Sequence, residues 1–186
     1  MKQLLAIFIL SLSSLSANAI PTDFLDLGVI GSTGEYSFST EGSFYAIGSS
    51  GFGKFPDVDT ELGLWSAEGQ LLENNDDIDF SNDNVFSAIN LFLESGVYFL
   101  GASEFSASFA DNFSLTGTRF EEGEVASISM KINDVLLGSR IVGQFNGFSE
   151  NAFFRVEVAD VPEPSSLALL GIGLSGLGFA RRRARK

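Results

Sequence analysis

Polar and apolar residues alternate with period two through most of the chain. Ala126, Ile128, Met130 and Ile132 alternate with Ser127, Ser129, Lys131 and Asn133, the pattern of a strand with one buried face. Phe154, Val156 and Val158 alternate with Arg155 and Glu157, and Tyr36 and Phe38 alternate with Ser37 and Ser39. Val97 to Leu100 is rich in strand formers, and Phe86 to Leu93 is another apolar run. Clusters of Gly, Asn, Asp and Ser separate the runs: Ser32 to Gly34, Ser49 to Gly53, Glu68-Gly69, Asn74 to Asn84 and Glu94 to Gly96. Short, evenly spaced strands with such turns predict an all-β fold, an antiparallel sandwich or barrel. No stretch between Ile20 and Asp160 holds a helical period.

The alternation fails at both ends. Met1-Lys2-Gln3 is a short basic opening, Leu4 to Leu12 is apolar, and Ala17-Asn18-Ala19 supplies small residues for cleavage. These features predict a signal peptide over 1–19, with Ile20 as the first mature residue. At the other end, Val161-Pro162-Glu163-Pro164-Ser165-Ser166 precedes an apolar run from Leu167 to Ala180, then Arg181-Arg182-Arg183-Ala184-Arg185-Lys186. Ser165 to Ala180 is 16 residues, against a lower bound of about 17 for a spanning helix. The terminal basic residues hold their end on the cytoplasmic side and snorkel to lengthen the span. Gly171, Gly173, Gly176 and Gly178 make the segment a weak permanent anchor.

This tail resembles the PEP-CTERM sorting signal, with Pro162, Glu163 and Pro164 as its Pro-Glu-Pro triplet and Arg181, Arg182 and Arg183 in its basic plug. The resemblance implies a membrane protease-transpeptidase, exosortase, that cuts near the triplet. It predicts three parts: a signal peptide at 1–19, a β-sandwich domain at 20–160 and a sorting signal with a transmembrane helix at 161–186. A plain single-pass tail anchor is the competing reading.

Removing the two ends changes the charge. Between Ile20 and Asp160 there are 23 acidic and 5 basic residues, a net of −18, where the whole chain carries −13. A domain this acidic repels nucleic-acid phosphates and anionic lipid and attracts cations. The chain has no Cys, so disulfides do not hold it in an oxidising compartment. It has no His, which removes the commonest general base and metal ligand and any Ser-His-Asp or Cys-His arrangement. Gly51-Phe52-Gly53-Lys54 lacks the spacing and hydroxyl of a phosphate loop. Oxygen ligands for hard cations are what remain.

Asp59-Thr60-Glu61-Leu62 opens a strand that continues to Trp65 and a Gly69 turn. Asn74-Asn75-Asp76-Asp77, then Gly96-Val97-Tyr98-Phe99, then Asn112-Phe113-Ser114-Leu115 come after it. That order resembles the bacterial pre-peptidase C-terminal domain, over about Thr33 to Leu115. The resemblance implies a jelly-roll-like sandwich and a secreted context, without catalysis. The chain departs from it at Phe99, where a second Tyr is usual, and in the segment from Thr116 to Val158, whose strand patterns complete the sandwich or lengthen one sheet.

Asp57 and Asp59 alternate, so they point to one side of an extended chain. Asn75, Asp76 and Asp77 come after a strand that can return to the same place. Calcium takes six to eight oxygens, and these residues are candidate ligands, although no EF-hand spacing is present. Solvated turns built from Asn and Asp explain the same loops without a metal. Of the 19 Phe residues, Phe38, Phe44, Phe86, Phe92, Phe99, Phe113 and Phe154 fall in strand patterns and are expected in the core, as is Trp65. Phe52, Phe55, Phe145 and Phe148 lie in loops.

Two functions fit. One is a non-catalytic exported protein of the cell surface or extracellular matrix, processed by exosortase, with export machinery and exopolysaccharide as partners. The other is a secreted carbohydrate- or protein-binding module, which aromatics exposed on one sheet face would favour.

Overall fold

The computed structural model of the protein describes residues 20–47, 58–78, 84–117, 120, 123–144, 151–160 and 172. Its strands are β1 (Leu25–Ser32), β2 (Gly34–Ser39), β3 (Phe44–Ile47), β4 (Thr60–Ser66), β5 (Leu71–Asn75), β6 (Ala88–Leu93), β7 (Gly96–Glu104), β8 (Ser108–Ala110), β9 (Ser114–Thr116), β10 (Val125–Ile132), β11 (Val135–Gly143) and β12 (Ala152–Ala159). The all-β expectation holds. One sheet has the order β1-β12-β7-β4-β5 and the other β11-β10-β2-β6, with β3 also paired to β10.

The period-two residues form the layer between the sheets. Leu62, Leu64, Leu100, Phe154, Val156 and Val158 come from the first sheet, and Phe38, Ile89, Ala126, Ile128, Met130 and Val142 from the second. Each large apolar side chain taken fully from water contributes roughly 1.5–3 kcal/mol, so matched faces on both sheets hold the sandwich together. Ser127 and Ser129 are buried as well; Ser127 is paired with Phe44 of β3, and the turn after β2 bonds to Ser129. Ser129 N donates to Ser43 Oγ at 3.0 Å and Ser129 Oγ to Gly42 O at 3.1 Å. The segment after Thr116 supplies β10 and β11 to the second sheet and β12 to the interior of the first.

One pairing departs from the antiparallel expectation. β1 runs parallel to β12, from Leu25↔Phe154 to Ser32↔Ala159, with bulges on the way. A hairpin forces antiparallel neighbours, whereas strands joined by a long connection are free of that constraint. Here the whole domain connects them.

A second aromatic cluster lies on the outer face of the first sheet, under the β8–β9 hairpin. Trp65, Phe99, Phe113 and Leu115 are buried there, and Trp65 Nε1 donates to Ala110 O at 2.8 Å. Gly63 and Gly101 are paired across β4 and β7. A Cβ on Gly101 would stand 2.8 Å from the Trp65 ring, and one on Gly63 would strike Phe109. The glycine pair leaves the space that these rings occupy. Phe44 and Phe92 correct the core expectation, being 51% and 53% exposed. Phe44 is opposite Ser127 and Phe92 opposite Glu35, which places both on the outer face of the second sheet.

The register also defines two poles. Thr60 is opposite Glu104 at one end of the β4–β7 pair. At the other end, Gly96 is opposite Val158, one residue before the end of β12.

Candidate metal centre and sorting tail

A buried hydroxyl cluster shapes the first pole. Thr40 Oγ1 and Thr60 Oγ1 lie 2.5 Å apart. Ser87 N donates to both, at 2.9 Å and 3.2 Å. Ser87 Oγ reaches the carbonyls of Thr60 and Asp76. Ile78 N donates to Phe86 O at 2.6 Å, and Phe105 N to Asp59 O at 2.9 Å. These bonds clamp the turn after β5 against the entry to β4. In consequence Asp59, Asp76 and Asp77 each offer a carboxylate oxygen, all within 4.8 Å of one another.

Close carboxylates disfavour one another's ionised form. Burial, then Asp77 and Asp76, push Asp59 up to about 6. Burial and Asp77 raise Asp76. Burial also raises Glu61, against the lowering effect of the Ser106 backbone N–H, which donates to Glu61 Oε1 at 2.7 Å. Tyr45 donates to Glu104, and burial together with that carboxylate raises the phenol.

One oxygen each of Asp59 and Asp77 is buried with no hydrogen-bond partner. A buried acceptor left unpaired is costly, and a hard cation satisfies several at once. The donor set is all oxygen, as calcium prefers. The residues therefore fit a divalent cation, with Asp59, Asp76 and Asp77 as its ligands.

The sequence-based ligand set is brought together in part. Asn75 Oδ1 accepts from Ala88 N at 3.0 Å and so serves to fix the turn. Asp57 lies outside the described residues. Glu61, Tyr45 and Glu104 were not among the residues the sequence pointed to. Glu61 continues the alternation of Asp57 and Asp59, a signal that was there to read; Tyr45 and Glu104 meet only through the pairing of the sheets.

The described strands end beside the opposite pole, where β12 runs out to Asp160 in register with the β6–β7 turn. Residues 160–186 match the PEP-CTERM protein-sorting motif. The motif is a substrate signal recognised by exosortase and implies export to the cell surface. The comparisons with curated proteins and with solved structures found no match. The expected pre-peptidase C-terminal likeness of the core thus finds no support beyond the sandwich itself. Ala17, Ala19, Pro162, Glu163, Pro164, Arg181, Arg182 and Arg183 lie outside the described residues, as do both predicted terminal helices apart from Ile172. Among the described residues no helix is long and apolar enough to cross a membrane.

Proposed function

We propose that this chain is a non-catalytic surface or extracellular-matrix protein. It is exported by its signal peptide, held briefly by its C-terminal helix, cut near Pro162–Pro164 by an exosortase, and left as a free or surface-attached β-sandwich. The observation that carries this reading is the sorting motif at 160–186, beginning at the residue after β12. Cutting at the triplet leaves every strand among the described residues intact. Association with exopolysaccharide belongs to the same reading, since the resemblance to PEP-CTERM proteins implies a link to the production of such polymers. The acidic pole acts within it as a calcium site that stiffens the domain outside the cell.

Intact mass of the protein from the cell surface or medium tests the reading. The expected species begins at Ile20 and ends near Pro162–Pro164. A surface species that retains Leu167 to Lys186 would leave a simple membrane anchor. Phe44 and Phe92 favour a second reading, a carbohydrate- or protein-binding module, since they present aromatic surface on one sheet face.

A further inference from the structure

We infer that the tail-side pole of the sandwich is a docking surface for the protease that removes the tail, and that it receives a basic surface of that enzyme. The inference rests on the sorting reading and adds a second recognition element to it.

Covalent geometry supplies the first argument. Pro162 stands three residues beyond Ala159, the end of β12, and an extended chain covers at most ~3.3–3.6 Å per residue. The triplet therefore begins within roughly 11 Å of the end of β12 and ends, at Pro164, within roughly 18 Å of it. Leu167, where the apolar run begins, is eight residues beyond Ala159, so the pole is held within roughly 28 Å of the hydrocarbon. β12 is an interior strand, hydrogen-bonded to β1 on one side and β7 on the other, and peeling it away to lengthen the tether would open the first sheet. An enzyme that cuts the intact fold at the triplet must come up against this pole.

Charge supplies the second argument. At this pole a shallow cleft of about 260 Å³ is lined by Gly96, Val97, Glu157, Val158 and Asp160. Glu94 precedes it in the β6–β7 turn. All three basic side chains among the described residues are already engaged: Lys131 with Glu41, Arg140 with Asp23, and Arg155 with Asp26 and Glu157. The surface is thus acidic and lacks free cations of its own among the described residues. An anionic headgroup layer is repelled by it, whereas a basic protein surface is drawn to it.

The test uses the full-length chain co-produced with its exosortase, with tail removal followed by intact mass after synthesis is stopped. The pair Glu94→Lys and Glu157→Lys changes the pole and leaves 160–186 untouched. The pair Glu41→Lys and Glu73→Lys makes the same charge change elsewhere. The first pair is expected to slow removal about tenfold, the lower end of electrostatic steering, and the second to leave it at the wild-type rate. Glu94→Gln with Glu157→Gln, which removes charge without reversing it, should slow removal to a smaller extent with the domain still protease-resistant. Equal rates for all variants, or equal slowing by both Lys pairs, would overturn the docking surface and leave the tail as the whole signal. A wild-type chain that keeps its tail beside active exosortase would overturn the sorting reading itself.

Discussion

Asp59 and Asp77 each bury a carboxylate oxygen that has no hydrogen-bond partner, and their ligand oxygens lie within 4.8 Å of each other. The pair repels itself whenever both are ionised. Asp59, held at about 6, is protonated more readily in the native state than in the unfolded chain, where an aspartate titrates near 3.9. The native state then binds the extra proton, so stability from this group is full below the unfolded value and is lost as pH rises through about 6. Without divalent cations, the melting temperature of the mature protein should rise between pH 7 and pH 5. Asp59→Asn should be more stable than wild type at pH 7 and show a flatter profile. General relief of the acidic surface adds a slope of its own, so the wild-type minus Asp59→Asn difference is the diagnostic quantity. A difference independent of pH would refute the assignment.

Calcium should replace the proton. Millimolar calcium at pH 7 is expected to raise the melting temperature, by about 2.7 kcal/mol of stability at a hundredfold excess over Kd. Magnesium should do less, because it keeps its waters. Sodium chloride at matched ionic strength controls for screening. The pair Asp76→Asn and Asp77→Asn should abolish the calcium-specific part. Identical shifts from calcium, magnesium and matched salt would mean an acidic surface and no site.

Trp65 is the single tryptophan of the chain and is fully buried. Its emission should be blue-shifted and should move to the red in one step on denaturation. Phe154→Ala, at a fully buried position between the sheets, should lower stability by about 3–5 kcal/mol. Guanidinium titration followed through Trp65 reads both. A loss near 1 kcal/mol or less, on the order of a surface substitution, would argue against the packing described.

Phe44→Ala and Phe92→Ala should behave differently. Both rings are about half exposed, so each change should alter stability by no more than about 0.5 kcal/mol. If the binding-module reading is right, the double variant loses retention on the polysaccharide of the producing cells in an affinity gel. Unchanged retention, with calcium present, would remove these rings from any binding face.

The alternation of Phe154, Val156 and Val158 with Arg155 and Glu157 already determined a strand and its buried face, because period two is a property of consecutive residues. The same local logic marked the C-terminal sorting motif, read from Pro162-Glu163-Pro164 and from the basic end, and predicts a signal peptide from Ala17-Asn18-Ala19. The missing His and Cys removed whole classes of chemistry without reference to shape. The tertiary structure decided everything that depends on which strand lies beside which. Phe44 and Phe92 match strand patterns as well as Phe38 does, yet register turned them outward opposite Ser127 and Glu35. The parallel course of β1 beside β12 is invisible to any window of neighbouring residues. Among the acidic loops, composition marked Asn75, Asp76 and Asp77 alike. The hydroxyl cluster of Thr40, Thr60 and Ser87 selected between them, setting Asp76 and Asp77 against Asp59 while Asn75 bonds the backbone of Ala88. Convergence of that kind comes from long-range pairing, and no local period encodes it.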